Sequence, residues 1–161
     1  MEAYRELLGA LREEVHACYG DSLVSVAVFG SLARQAATPD SDIDVLIVAE
    51  GLPVGRVRRV DAFAAVEEKL GPRLMSLQNK GYNCSLSPVL KTPQEVEMGR
   101  PLFWDMTCSV LLLFDRNDFL NNYLGRLRDR LSRLGARRIV EGDRWYWDLK
   151  PDYKPGDIFE L

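Results

Sequence analysis

Cysteine and histidine are scarce in this 161-residue chain. The three cysteines, Cys18, Cys84 and Cys108, are odd in number, far apart and without paired spacing. That excludes a disulfide framework and a zinc site, and marks them as buried thiols. The one histidine, His16, has no second ligand at metal spacing and reads as structural. Long apolar runs are missing too: stretches such as Val110–Phe114 fall far short of the roughly 18–20 residues that span a bilayer. No signal peptide shows, because residues 1–20 are charged throughout, so a cytoplasmic setting is expected. Nor does one sign of charge dominate. With 21 basic and 24 acidic residues the net charge is −3, which does not announce a nucleic-acid binder. An apolar content of 47% excludes disorder, and with no internal repeat the composition fits one ordinary globular domain.

The charge is uneven, however. Between Leu124 and Arg144, seven arginines face Asp129, Glu141 and Asp143, leaving that stretch at +4 and the remainder at −7. Arg126, Arg130, Arg133 and Arg137 recur at steps of four, three and four beside a leucine face. A solvated helix edge is the simpler reading, and a docking strip for RNA or an acidic partner the sharper one.

Periodicity outlines the elements. Tyr4, Leu7, Leu8, Leu11, Val15 and Cys18 mark an amphipathic helix over residues 2–19. Leu23–Phe29 and Ile43–Val48 are β-branched, apolar and bounded by turn residues, as buried strands are. Val57, Val60, Phe63, Ala64 and Leu70 mark a second helix, stopped by Gly71-Pro72. Tyr82–Leu90 reads as a third strand, and Thr92-Pro93-Gln94-Glu95 as a helix start with a capping box. Val110–Phe114 is a short strand, and Leu120, Tyr123, Leu124, Leu127, Leu131 and Leu134 line one face of a long helix. The rest reads as a short hairpin and an extended polar tail, with Trp145 and Trp147 covering the core from one strand face, base stacking being the alternative. The class is α/β or α+β, a mixed sheet flanked by helices. Residues 1–116 would form the main unit, with 117–161 a helix-and-tail extension packed on it.

Chemistry concentrates in two neighbouring pieces. Val28-Phe29-Gly30-Ser31-Leu32-Ala33-Arg34 takes a strand into a Gly-Ser turn, and Ser41-Asp42-Ile43-Asp44 then opens the next strand. Residues i and i+2 of a strand share a face, so the Asp42 and Asp44 carboxylates converge. Two such anions repel unless a cation lies between them, and oxygen-only ligands favour a hard ion such as Mg²⁺ that bridges to substrate phosphates. Glycine lets a ligand approach the backbone closely, and the turn amides with the Ser31 hydroxyl can hold phosphate oxygens. A divalent ion opposite phosphate-binding amides is an arrangement for phosphoryl or nucleotidyl transfer.

The Gly-Ser and Asp-x-Asp pattern over residues 24–48 resembles the nucleotidyltransferase superfamily that includes DNA polymerase β and kanamycin nucleotidyltransferase. The small size is most similar to the minimal nucleotidyltransferases of bacteria and archaea. The resemblance implies that Gly30 and Ser31 hold a nucleoside triphosphate such as ATP, that Asp42 and Asp44 carry the catalytic metal, and that Arg34 matches an arginine often following the turn. Equally, Arg34 reads as a surface ion-pair partner. The glycine that often follows that arginine is Gln35 here. The resemblance further implies transfer of a nucleoside monophosphate to a hydroxyl, and a helical HEPN-type protein partner in a toxin–antitoxin pair.

One departure divides the functional reading. The family usually carries a third carboxylate on a later strand, but Tyr82-Asn83-Cys84-Ser85-Leu86-Ser87-Pro88-Val89 holds no acid. Ser85 or Ser87 takes that place, and serine is a weak Mg²⁺ ligand and a poor base. Asp105 would substitute only if its loop folds back. Two functions therefore stay open, an active nucleotidyltransferase and a binding module that keeps the fold without the turnover.

Overall fold

The computed structural model describes residues 2–142 and 144–154. Of the expected polar tail, residues 155–161 lie outside the described residues. Among the described residues, six α-helices and six strands follow one another as α1 (Arg5–Tyr19), β1 (Leu23–Phe29), α2 (Gly30–Ala33), β2 (Ile43–Ala49), α3 (Arg56–Asn79), β3 (Leu86–Lys91), α4 (Pro93–Glu97), α5 (Pro101–Met106), β4 (Leu111–Asp115), α6 (Phe119–Arg133), β5 (Arg137–Glu141) and β6 (Arg144–Asp148). The main sheet has the order β3-β2-β1-β4, and β5 and β6 form a separate hairpin. β1 runs antiparallel to both β2 and β4, whereas β2 and β3 are parallel.

β1 and β2 are buried on both faces, which is why each reads as a continuous apolar run and not as an alternation. Period-two alternation then divides β2. Ile43, Val45 and Ile47 join the core beneath α1 and α3, while Leu46 and Val48 join the core beneath α4, α5 and α6. Asp44 shares the parity of Leu46 and Val48, so the pleat turns it toward the α5 side. That second core combines Val24, Ala27, Val96, Phe103 and Met106 with Leu120, Tyr123, Leu124, Leu127 and Leu131 of α6. Asp115 fixes the start of α6, accepting the buried Ser25 hydroxyl at 2.6 Å and the amides of Leu120 at 3.0 Å and Asn121 at 2.9 Å.

Several expectations are corrected. The second helix does not stop at Gly71-Pro72 but continues to Asn79. Pro72 is exposed there, and burial of Leu70 and Leu77 on either side carries the helix past the missing N–H. The third strand starts only at Leu86, where pairing with Ile43 begins. The cysteines are not all buried: Cys18 and Cys108 are exposed and Cys84 is half-buried. Cys18 keeps helical spacing, but the last turn of α1 meets the core through Tyr19 instead. The short helix α5 carries no strong periodic signal and was not anticipated; its mark is Pro101 at the first helical position.

Thr92 caps α4 as its sequence implied. Glu95 N–H donates to Thr92 Oγ1 at 3.2 Å, and Thr92 N–H to Glu95 Oε2 at 2.9 Å. Arg59 closes on the same carboxylate at 2.6 Å, and with burial only partly opposing it, this holds Glu95 below the usual carboxylate range. The expected arginine stripe is cut short: Arg126, Arg130 and Arg133 lie exposed on α6 as a solvated edge, with Arg126 paired to Glu97 at 3.0 Å, but the helix ends at Arg133 and Arg137 lies on β5. No helix among the described residues is long and apolar enough to cross a membrane.

Candidate functional site

The site forms where β1 ends and β2 begins. Gly30 leaves β1 at φ +69°, a region that side chains rarely adopt. A Cβ there would collide with Asp44 Oδ2 and lie 3.0 Å from its Cγ. Glycine is thus required twice, by the turn and by the carboxylate standing against it. Gln35 also has positive φ, +58°, at the position where a glycine is common in the resembling family. The turn between them is closed by bonds from Arg34 N–H to Gly30 O at 3.2 Å and Ala36 N–H to Ser31 O at 2.9 Å.

Parallel pairing of β2 with β3 sets the acids. Asp44 is in register with Phe29 on one side and Ser87 on the other. Three alternate acids meet three alternate polar residues: Asn83 Nδ2 donates to Asp40 at 3.0 Å, Ser85 Oγ donates to Asp42 at 2.6 Å, and the Ser87 hydroxyl serves Asp44. In the place of the absent third carboxylate, two hydroxyls therefore donate to the two aspartates. Burial pushes the Asp44 carboxyl up; the Ser87 hydroxyl opposes this, the Asp42 charge adds to it, and Arg34 opposes it. The Asp42 charge acting on Asp44 is the electrostatic signature of a second carboxylate close by.

A cavity of about 210 Å³ opens beside Asp44. Its lining combines the polar Arg34, Asp44, Asp105 and Ser109 with Gly30 and the apolar Phe29, Leu102, Met106 and Trp145. Of the residues singled out in the sequence, the structure brings Gly30, Arg34 and Asp44 into this cavity and sets Asp42 next to Asp44, while Ser31 is half-buried outside its lining. Among the described residues Arg34 has no surface ion-pair partner; its guanidinium lies over the Trp145 ring, 5.0 Å from the centroid.

Asp105 and Trp145 also line the cavity. α5, not a folded-back loop, carries Asp105 there, but its oxygens accept the indole N–H groups of Trp145 at 3.2 Å and Trp147 at 3.0 Å, with Arg138 Nε 3.7 Å away. The two tryptophans do share a strand face, as their alternation implied. Only Trp147 packs on the core, however, whereas Trp145 remains 40% exposed at the cavity mouth. The WYW run was the available signal for this contact, though nothing local shows what it meets.

Residues 5–92 match the sequence profile of the nucleotidyltransferase domain family. The chain belongs to that family. A Methanocaldococcus jannaschii protein, provisionally named a protein adenylyltransferase, is 30% identical over 129 residues, spanning 79% of this chain and 82% of the relative. Two crystal structures share the fold at low identity. One is spectinomycin adenyltransferase from Enterococcus faecialis with ATP and spectinomycin (TM-score 0.54, 14% identity, 81% of this chain and 66% of that one). The other is a toxin–antitoxin structure with AMP-PNP (TM-score 0.51, 13% identity, 78% and 88%). In this member of the nucleotidyltransferase family the matched segment includes Gly30, Ser31, Arg34, Asp42 and Asp44, whereas Asp105, Arg138 and Trp145 lie beyond it.

Proposed function

We propose that this chain transfers AMP from ATP to a hydroxyl group of a protein partner, a HEPN-type toxin being the acceptor class the family resemblance implies. The observation that carries the reading is Asp44 standing directly against the Gly30 turn in a cavity they line with Arg34, with Asp42 near enough for its charge to act on Asp44. The adenylyltransferase naming of the 30%-identical relative and the toxin–antitoxin setting of one fold neighbour support the acceptor class.

The donor set is carboxylates and hydroxyls only, which fits a hard divalent cation and not a soft one. Among the described residues no group of three His, Cys, Asp or Glu side chains gathers, so Asp42 and Asp44 would hold Mg²⁺ together with phosphate oxygens and water. When bound, the ion would neutralise phosphate charge and polarise the α-phosphate. The Gly30-Ser31 turn, through its amides and the Ser31 hydroxyl, would hold triphosphate oxygens, and Arg34 supplies a cation to them. The acceptor oxygen forms a bond to the α-phosphorus while the α–β phosphoanhydride bond breaks. Pyrophosphate departs, and the hydroxyl proton passes to water. A cytoplasmic setting belongs to the same proposal, since ATP and Mg²⁺ are abundant there.

A second reading, a nucleotide-dependent binding module, is favoured by the replacement of the third acid by Ser85 and Ser87. Incubation with α-labelled ATP, Mg²⁺ and candidate partner proteins separates the two. Label on a partner that vanishes with Asp42→Ala/Asp44→Ala establishes transfer. ATP binding with no label transferred to any partner supports the module.

A further inference from the structure

We infer that Trp145, on the C-terminal hairpin and outside the matched segment, is the platform on which the nucleobase stacks. The inference rests on the nucleotide reading above and adds a residue to it. The cavity lining combines two chemistries. Gly30, Arg34 and Asp44 suit phosphate and metal, whereas Leu102, Met106 and the Trp145 ring suit a flat apolar group. A nucleotide has the same division. At about 210 Å³ the space lies below the roughly 300–1,000 Å³ of ordinary small-molecule pockets, so a nucleotide extends beyond it, and Trp145, 40% exposed, offers adjoining surface.

The ring is held ready for that contact. Its indole N–H donates to Asp105 at 3.2 Å, and Trp147 donates to the same carboxylate, which ties β6 to α5. Arg138 lies 4.8 Å and Arg34 5.0 Å from the ring centroid. Charge-assisted bonds to phosphate are stronger than a cation–π contact with a partly exposed ring. A triphosphate therefore draws Arg34 off the indole and frees ring surface for the base. One arginine thereby couples phosphate binding at Gly30 to base binding at the hairpin.

Calorimetry with the full chain tests this, using Mg²⁺·ATP and Mg²⁺·tripolyphosphate, which keeps the charges and lacks the base. Trp145→Ala is expected to weaken ATP roughly 5- to 150-fold, the range for removing one base–aromatic stack, and to leave tripolyphosphate unchanged or somewhat tighter, since Arg34 no longer has to leave the ring. Trp145→Phe should retain most of the ATP affinity, which guards against a hairpin that merely loosens. Unchanged ATP affinity in Trp145→Ala overturns the stack while leaving the nucleotide site intact. Equal weakening of both ligands, or tighter ATP binding, also overturns it, because the ring then acts as a strut or a plug. If wild type binds neither ligand, or binds both regardless of Asp44→Asn, the nucleotide reading fails and this inference falls with it.

Discussion

Replacing Gly30 with alanine tests the central geometry most directly. The residue sits at φ +69°, where an L-residue costs about 1–2 kcal/mol. Reduced entropy of the unfolded chain returns about 0.4–1 kcal/mol of that. The new methyl also meets Asp44 along most of its length, 3.0 Å from Cγ and 3.3 Å from Cβ, so rotating the carboxylate tip alone gives no relief. Asp44 has to swing away from Ser87, for about 1 kcal/mol more. The sum is a loss of roughly 2 kcal/mol, read as a lower urea midpoint with an unchanged slope. The functional effect is larger, because the displaced carboxylate leaves Asp42: calorimetry should show Mg²⁺·ATP affinity falling by at least about tenfold, the second-shell scale for disturbed metal ligands. Gly125, within α6 and with nothing inside 4 Å, is the control. Its alanine variant should gain up to about 1 kcal/mol. A Gly30→Ala protein as stable as wild type, binding Mg²⁺·ATP equally well, would refute both the turn argument and the proposed role of Asp44.

The remaining predictions concern charge and backbone. Burial raises the Asp44 carboxyl, so the folded state holds its proton more tightly than the unfolded chain, and stability falls as pH rises from the ordinary Asp value through the raised one. Asp44→Asn should remove that fall in a pH series of urea melts and be at least as stable as wild type at neutral pH, while Mg²⁺·ATP binding is lost. Glu95 has the opposite sign: Arg59 lowers it, so its contribution is complete above the ordinary Glu value and disappears as pH drops through the lowered one. Melts of Glu95→Gln should therefore converge with wild type in acid and differ near neutrality. Thr92→Ala removes the cap of α4 and should cost about 1 kcal/mol by chemical denaturation. Gln35→Gly relaxes a positive φ at a glycine's entropic cost, so its urea midpoint should match or slightly exceed that of wild type.

Local chemistry explains what could be read without coordinates. β1 and β2 announced themselves because both are buried on two faces and flanked by turn residues, and the Thr92–Glu95 box because its two bonds span only three residues. The Gly30-Ser31 turn and the Asp42/Asp44 pair were visible for the same reason: strand parity and a glycine turn are properties of consecutive residues. α5 was not visible, since six residues are too few to display a period. Pro72 misled because a proline inside a helix is tolerated only when packing on both sides outweighs its missing bond, and that packing comes from elsewhere in the chain.

The sequence by itself determined the paired acids, the glycine turn, the acid-free third strand and the family to which these belong. Tertiary structure alone decided that Ser85 and Ser87 serve those acids, that Arg34 lies on an indole, and that Asp105 faces two tryptophans some forty residues away. Contacts of the first kind follow from dihedral preference and side-chain parity within a few residues. The second kind depends on which strands pair in which register and where a distant hairpin comes to rest, and no local pattern encodes those distances.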